Sequence, residues 1–367
     1  MKRLSVKDIK DNIKTTGRCF YHAPSEVYYF NWTDTALEFD FKGESLGLEF
    51  KAMSAKEFEG VPGDTTAPWH LNWPVIRIYV DDKEVVHQEI SQEKMLIQVP
   101  ETNPEKISRI RIIKLTENLK TQLGLTAVTM DDKAVLSKPE TNNRKSIEFI
   151  GDSITCGFGN GTLDRDKLYF TEEEDGELSH AYLAAKELDM DYSVVSISGI
   201  CASFNPGIPM EYAMNELYDY TDRVIQDKLG ETAYEKYDFA GNKKDYVVIN
   251  LGTNDAHGIS YQDDYEAATE RVHEGYLSFL KQVRNANGKD THIICALGSM
   301  GYYLYADILE LVKQYKAETG DENISCFRYM QINPFDGFGA CGHPSAATQI
   351  KMGKEIAAYI RTLEERK

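Results

Sequence analysis

Four residues in the chain are of the types that acyl transfer needs: the hydroxyl of Ser153, the imidazole of His343, the side-chain amide of Asn254 and a glycine at 199. A serine hydroxyl is a weak nucleophile until a base within hydrogen-bond reach takes its proton, and histidine is the usual base near neutral pH. Neutral N–H donors then hold the negative oxygen that develops on the attacked carbonyl. Ser153 lies in Ile147–Asn160, I-E-F-I-G-D-S-I-T-C-G-F-G-N, where a short apolar run stops abruptly at Gly151-Asp152-Ser153. A strand that ends in a glycine-flanked serine can lift Oγ above the edge of a sheet, although the spacing is not G-x-S-x-G. Each residue also has a plainer reading. Ser153 can cap the helix that follows, His343 can cap the helix after Pro344, and Gly199 and Asn254 can be ordinary turn residues.

The surrounding elements favour the chemical reading. Buried-strand patterns occur at Ile147–Ile150, Tyr192–Ile197, Tyr246–Leu251, Ile293–Leu297 and Ile324–Phe327. Helical stripes separate them: Leu178, Ala181, Tyr182, Ala185 and Leu188; then Val272, Tyr276, Phe279 and Val283; then Leu304, Ile308, Leu311, Val312 and Tyr315; and finally Ala346, Ile350, Ala357 and Ile360. Strands alternating with helices predict a parallel sheet covered on both faces, an α/β/α domain. Ligands of such sheets sit at the carboxyl ends of the strands. Ser153, Ser198-Gly199-Ile200, Gly252-Thr253-Asn254-Asp255 and Gly339–Ser345 all follow strands or precede the last helix. The N–H groups of Ser153 and Gly199, with the Asn254 amide, are therefore the expected oxyanion donors. Upstream the pattern changes to short alternating strands, at 35–41, 45–50, 75–80, 94–99 and 107–113, with Asp81-Asp82-Lys83 as a hairpin turn. Such a run predicts an all-β sandwich of jelly-roll type. Lys138-Pro139-Glu140-Thr141-Asn142-Asn143 reads as a linker. The expected division is 1–138 for the sandwich, 139–145 for the linker and 146–367 for the catalytic domain.

G-D-S-I, a strand-end glycine, G-T-N-D and a C-terminal H-P, in that order, resemble the SGNH (GDSL-type) hydrolases. The resemblance is closest to carbohydrate esterase family two, which joins a jelly roll to an SGNH domain with a flavodoxin-like parallel sheet. K-S-I-E-F-I-G-D-S-I-T-C-G-F-G-N is similar to that family's nucleophile segment, and K-L-T-E-N followed by L-G-L-T-A-V to the end of its jelly roll. The resemblance implies removal of acetyl groups from oligosaccharides derived from xylan, mannan or glucomannan. It implies Ser153 as nucleophile, His343 as base, and no cofactor or metal. One position departs from the pattern. Ala340 stands three residues before His343, where these hydrolases usually carry an aspartate, and Cys341 stands two before. Dyads occur in the resembled family, so a main-chain carbonyl near Ala340 is the expected partner of the imidazole; Asp336 is the nearest carboxylate in sequence.

Several other residues carry two readings. Tyr302, Tyr303 and His257 can contact a sugar, or can cover helices and surface. Trp69 and Trp73, in A-P-W-H-L-N-W-P, read as a core plug or a sugar platform. Glu172-Glu173-Glu174-Asp175 reads as a solvated loop, Cys156 as packing, and Asp152 and Asp255 as acceptors that fix loops. His180 and His257 have no partners at metal-ligand spacing. The formal net charge of −18, from 41 basic and 59 acidic residues, repels nucleic acids and anionic membranes. The first ten residues have no apolar signal region, and no run approaches the ~18 apolar residues of a membrane helix, so a cytoplasmic protein is expected. The six cysteines form no C-x-x-C pair and read as reduced thiols. Two further functions fit the same residues: a general short-chain lipase or arylesterase, and a glycan-binding protein without catalysis.

Overall fold

Alternation of apolar and polar residues sets the first part of the fold. In Ala36–Lys42 it buries Leu37, Phe39 and Phe41, and in Leu46–Met53 it buries Leu46, Leu48 and Phe50. The computed structural model describes residues 1–59, 66–207 and 210–365. One antiparallel sheet runs in the order Lys94–Val99, Leu46–Met53, Gln122–Met130, Val27–Tyr29, Phe20–His22, with Lys2–Ser5 also paired to Gln122–Met130. A second runs Lys83–Glu89, Val75–Val80, Ser108–Lys114, Ala36–Lys42, Val135–Ser137, with Lys14–Thr16 also paired to Ala36–Lys42. Leu37, Phe39, Ile78 and Ile112 from one sheet and Leu48, Phe50, Leu125 and Val128 from the other share one core. The five alternating segments read from the sequence all form strands, with ends shifted by a few residues at most. Asp81 and Asp82 both have positive φ, 50° and 65°, as a two-residue hairpin turn of the primed type requires.

The second unit is built on strands β1 (Ser146–Gly151), β2 (Asp191–Ser196), β3 (Tyr246–Asn250), β4 (His292–Leu297) and β5 (Ile324–Arg328). All pairings are parallel, in the order β2-β1-β3-β4-β5 among the described residues. This is the doubly wound order of flavodoxin-like sheets, whose switch point lies between the first strand and the third. The central strands are buried along nearly their whole length, which is why they read as continuous apolar runs and not as alternation. The helices are α1 (Ser153–Cys156), α2 (His180–Glu187), α3 (Thr253–Ile259), α4 (Tyr265–Asn287), α5 (Tyr305–Thr319) and α6 (Ala346–Glu364), with two short helices, Met214–Leu217 and Arg223–Lys228, between β2 and β3. One assignment on α6 fails. Ile350 is 39% exposed, and the inward stripe is Met352, Ile356, Ala357 and Ile360. Gln349 takes the inner position beside it, because its amide donates to the Ile154 carbonyl at 2.7 Å and accepts from His180 N–H at 2.8 Å.

The chain divides into two compact units, Met1–Asn143 with Leu168–Gly176, and Arg144–Lys167 with Glu177–Lys367. The path therefore leaves the first unit, returns to it and leaves again, where the sequence suggested one linker. Local chemistry explains the return. The Asn72 side-chain oxygen accepts from Thr171 N–H at 3.0 Å, and Asp175 pairs with the Arg77 guanidinium. Glu173, Glu174 and Asp175 are buried, which corrects the reading of 172–175 as a solvated loop. Tyr169 donates to Glu174, whose pKa burial pushes well above the carboxylate range, with the Glu117 charge adding to the effect. No helix among the described residues is long and apolar enough to cross a membrane, and no cluster of three or more ionisable side chains among them could hold a metal ion.

Candidate active site

The turn after β1 is set by its smallest residue. A Cβ at Gly151 would strike the Thr155 side chain, so only glycine lets the strand end this close to α1. Asp152 caps α1: its carboxylate accepts from Ile154 N–H at 3.0 Å, while its carbonyl takes Thr155 and Cys156 N–H, both at 3.0 Å. Ser153 becomes the first helical residue, and an N–H in that position has no acceptor within the helix. Gly157 closes the turn in the left-handed region, φ 85°. Ser153 is left only 8% exposed, at the carboxyl end of β1.

His343 reaches that place on the loop before α6. Its Nε2 lies 2.9 Å from Ser153 Oγ, and its Nδ1 lies 3.2 Å from the Ala340 carbonyl oxygen. A carbonyl only accepts, so the proton sits on Nδ1 and Nε2 is left to accept from the serine hydroxyl. Burial pushes the His343 pKa down to about 4, against the raising effect of its bonds to Ala340 and Cys341. The ring packs on Phe158, with centroids 4.2 Å apart. The loop is fastened on both sides. Ala340 N–H donates to the Gly159 carbonyl at 3.0 Å, and Cys341 and Gly342 N–H donate to the carbonyls of Lys167 and Arg165, each at 3.2 Å. Glycine is needed at both contact points: a Cβ on Gly159 would lie 2.9 Å from Ala340 N, and one on Gly339 would run into the Gly159 carbonyl. Phe158 and this glycine interlock were missed in the sequence.

The expected donors sit nearby in the fold. Gly199 follows β2 with φ 81°, a conformation that disfavours any side chain, and a Cβ there would also lie 3.2 Å from the Met210 sulfur. Asn254 lies in the first turn of α3. Its amide donates to the Ile200 carbonyl at 3.1 Å and, more weakly, to Asp152 at 3.3 Å. An oxyanion is a stronger acceptor than a neutral carbonyl, so an approaching negative oxygen can draw the N–H that bonds Ile200 away. Burial raises the pKa values of both Asp152 and Asp255 to about 7, and for Asp152 the Asp255 charge adds to the effect. Asp255 accepts from Ala202 N–H at 3.2 Å and so holds the turn after Gly199. Cys156 is buried and donates to Ser196 Oγ at 3.2 Å.

The remaining candidates make other contacts. Asp336 points to Lys351, whose Nζ lies 2.5 and 2.6 Å from its two oxygens, and its carbonyl accepts from Ser345 Oγ at 2.9 Å. It fastens the start of α6, and the group that faces His343 Nδ1 is the Ala340 carbonyl. Tyr302 donates to the Tyr329 carbonyl at 2.8 Å, whereas Tyr303 is 88% exposed. His257 pairs with Tyr261 OH at 3.1 Å at the end of α3. His180 is a core residue, 3.0 Å from the Gln349 side-chain oxygen.

Several known proteins are similar to this chain. The pattern of the GDSL-like lipase/acylhydrolase family matches residues 147–356. The acetylxylan esterase/glucomannan deacetylase of Cellvibrio japonicus is 26% identical over 364 residues, 94% of this chain and 89% of that protein. The cellulase/esterase CelE of Acetivibrio thermocellus is 25% identical over 340 residues, which cover 90% of this chain. The match spans only 37% of CelE's own length. Among solved structures, the acetyl xylan esterase Est2A of the rumen bacterium Butyrivibrio proteoclasticus superposes over 100% of both chains with a TM-score of 0.82 at 20% identity, a likeness of fold.

Proposed function

The chain belongs to the GDSL-like lipase/acylhydrolase family, and on that premise we propose that it is a carbohydrate O-acetyl esterase acting on acetylated oligosaccharides derived from mannan, glucomannan or xylan. The observation that carries this reading is the 2.9 Å bond between Ser153 Oγ and His343 Nε2, with the ring's other nitrogen held by a carbonyl. The names of the relatives support the choice of acetylated polysaccharide. For the first unit we favour a jelly-roll topology, which its two antiparallel sheets support.

In this reading His343 Nε2 takes the Ser153 proton as Oγ attacks the acetyl carbonyl carbon. The carbonyl oxygen becomes negative against the N–H groups of Ser153 and Gly199 and the Asn254 amide. The bond to the sugar oxygen breaks, and that oxygen takes the proton from Nε2. Water, deprotonated by the same nitrogen, attacks the acetyl-serine; acetate leaves and Ser153 recovers its proton. No step requires a cofactor or a metal.

The test is mass spectrometry of acetylated manno- and xylo-oligosaccharides before and after treatment. Stepwise loss of acetyl masses is expected, and Ser153→Ala should slow it by about 10³-fold or more. Oligosaccharides that keep every acetyl group in the presence of the parent protein would end this reading.

A further inference from the structure

The hairpin Ala55–Phe58/Trp69–Asn72 in the first unit has its polarity reversed. Residues directly opposite in an antiparallel pair share a face. Phe58 faces Trp69 and Lys56 faces Leu71, while Glu57 faces His70 and Ala55 faces Asn72. The second set points into the unit. Asn72 is buried and binds Thr171, His70 lies 3.2 Å from Glu172 and stacks on Phe170 with centroids 4.1 Å apart, and Glu57 pairs with Lys120 at 2.5 Å. The apolar set points to solvent, with Trp69 61% and Leu71 44% exposed. A short hairpin gains stability by burying its apolar face, and this one hides its polar face and shows the other. The exposed ring is not loose: Phe58 packs against it in a tilted arrangement, with centroids 5.3 Å apart and planes at 52°.

We propose that this face is a stacking platform for a neutral oligosaccharide, a binding site on the first unit with its own residues. A pyranose ring presents a flat C–H face that packs on an indole, and its hydroxyls at the rim can bond a group such as the Lys56 ammonium, which lies on the same face. Size argues against the main competitor, a protein partner. Trp69 and Leu71 together offer on the order of 200 Å² of exposed apolar surface, well below the ~800 Å² that each partner buries in a stable protein pair. One or two sugar rings fit that area. The net charge of −18 disfavours an anionic ligand. Only the choice of sugar rests on the esterase reading above.

Tryptophan emission and calorimetry on the full chain test the platform, with unacetylated mannohexaose, xylohexaose and cellohexaose as probes. Of the three tryptophans Trp32 is fully buried, Trp73 is partly buried against the core and Trp69 is the most exposed, so the response that Trp69→Ala removes is the one that reports the platform. A saturable blue shift with at least one hexaose is expected. Trp69→Ala should remove the shift and weaken calorimetric binding about tenfold, and Leu71→Ala should weaken it less. The proposal is overturned if none of the three sugars binds, or if Trp69→Ala binds as tightly as the parent. Self-association of the parent that Trp69→Ala abolishes would also overturn it, because the face would then belong to a second copy. Hydrolysis of p-nitrophenyl acetate by the parent is measured separately; its absence would count against the esterase reading and leave the platform standing.

Discussion

The Nδ1 proton of His343 goes to a main-chain oxygen at 3.2 Å, and the nearest carboxylate in sequence is engaged by Lys351. A carbonyl dipole fixes the tautomer but stabilises an imidazolium less than an ionised aspartate does. Asp336→Ala should therefore lower kcat by less than about tenfold; a loss near 10⁴-fold would mark Asp336 as the orienting acid after all. The same ring makes a pH prediction. Burial lowers the His343 pKa to about 4 from the ordinary 6.5 of an imidazole, so the free base persists through mildly acidic solution. The acid limb of kcat/KM, measured with a soluble acetyl ester, should have its midpoint near pH 4 and well below 6.5. The folded protein binds fewer protons on this ring than the unfolded chain does between those values, so its contribution to stability grows as pH rises through that window. Asp152 and Asp255 act in the opposite sense. Their pKa values are raised to about 7 from 3.8, so between those values the folded form holds protons that the unfolded chain has lost, and stability falls as pH rises. Residue types and strand-end positions pointed to Ser153 and His343, and the fold puts them in contact. A main-chain carbonyl near Ala340 was the expected substitute for the missing aspartate, and the Ala340 oxygen lies 3.2 Å from Nδ1; that expectation came from the dyads of the resembled family, because main-chain direction in a glycine-rich loop leaves no pattern of side chains.

Between elements, the contact that matters most is the one between the loop after α1 and the loop before α6. Gly159 has φ 64°, and a Cβ there would lie 2.9 Å from Ala340 N. Gly159→Ala should displace the His343 loop, lowering kcat by about 10²-fold while Tm falls by only a few degrees. Circular dichroism and kinetics on the same preparation would check it; a variant with unchanged kcat would show that the loop's position is set elsewhere. The strands themselves were easy to read. Continuous apolar runs marked β1 to β5, and period-two alternation marked the antiparallel sheets. Ile350 shows the limit of that method. Apolarity placed it on the inner face of α6, but the polar Gln349 holds that position through bonds to Ile154 and His180 that no periodicity reports.

For the whole chain, the excursion at 168–176 decides how separable the units are. Arg77 and Asp175 are both mostly buried and pair with each other, although Glu84 also lies 3.2 Å from Arg77. Removing one member of a buried pair costs on the order of 3–5 kcal/mol, and the second acceptor places this case at the lower end. A fragment of residues 1–143 keeps Arg77 and Asn72 but loses Asp175 and Thr171, so it should unfold at lower urea than the corresponding transition of the full chain. Adding a peptide of residues 168–176 should restore part of the difference, and equal midpoints without the peptide would show that the return segment contributes nothing. The segment gave no hint of this in the sequence, because Asn72, the partner of Thr171, and Arg77, the partner of Asp175, stand about a hundred residues earlier. The order of synthesis gives the excursion a further meaning. A ribosome releases β1 and the Ser153 turn before it releases the residues that complete the first unit. The nascent sandwich must wait, with its Asn72 side unclosed, while the opening of its neighbour is already in the cytosol or at a translocon. A single cut that joined these units to new partners would leave a piece of the first stranded inside the second.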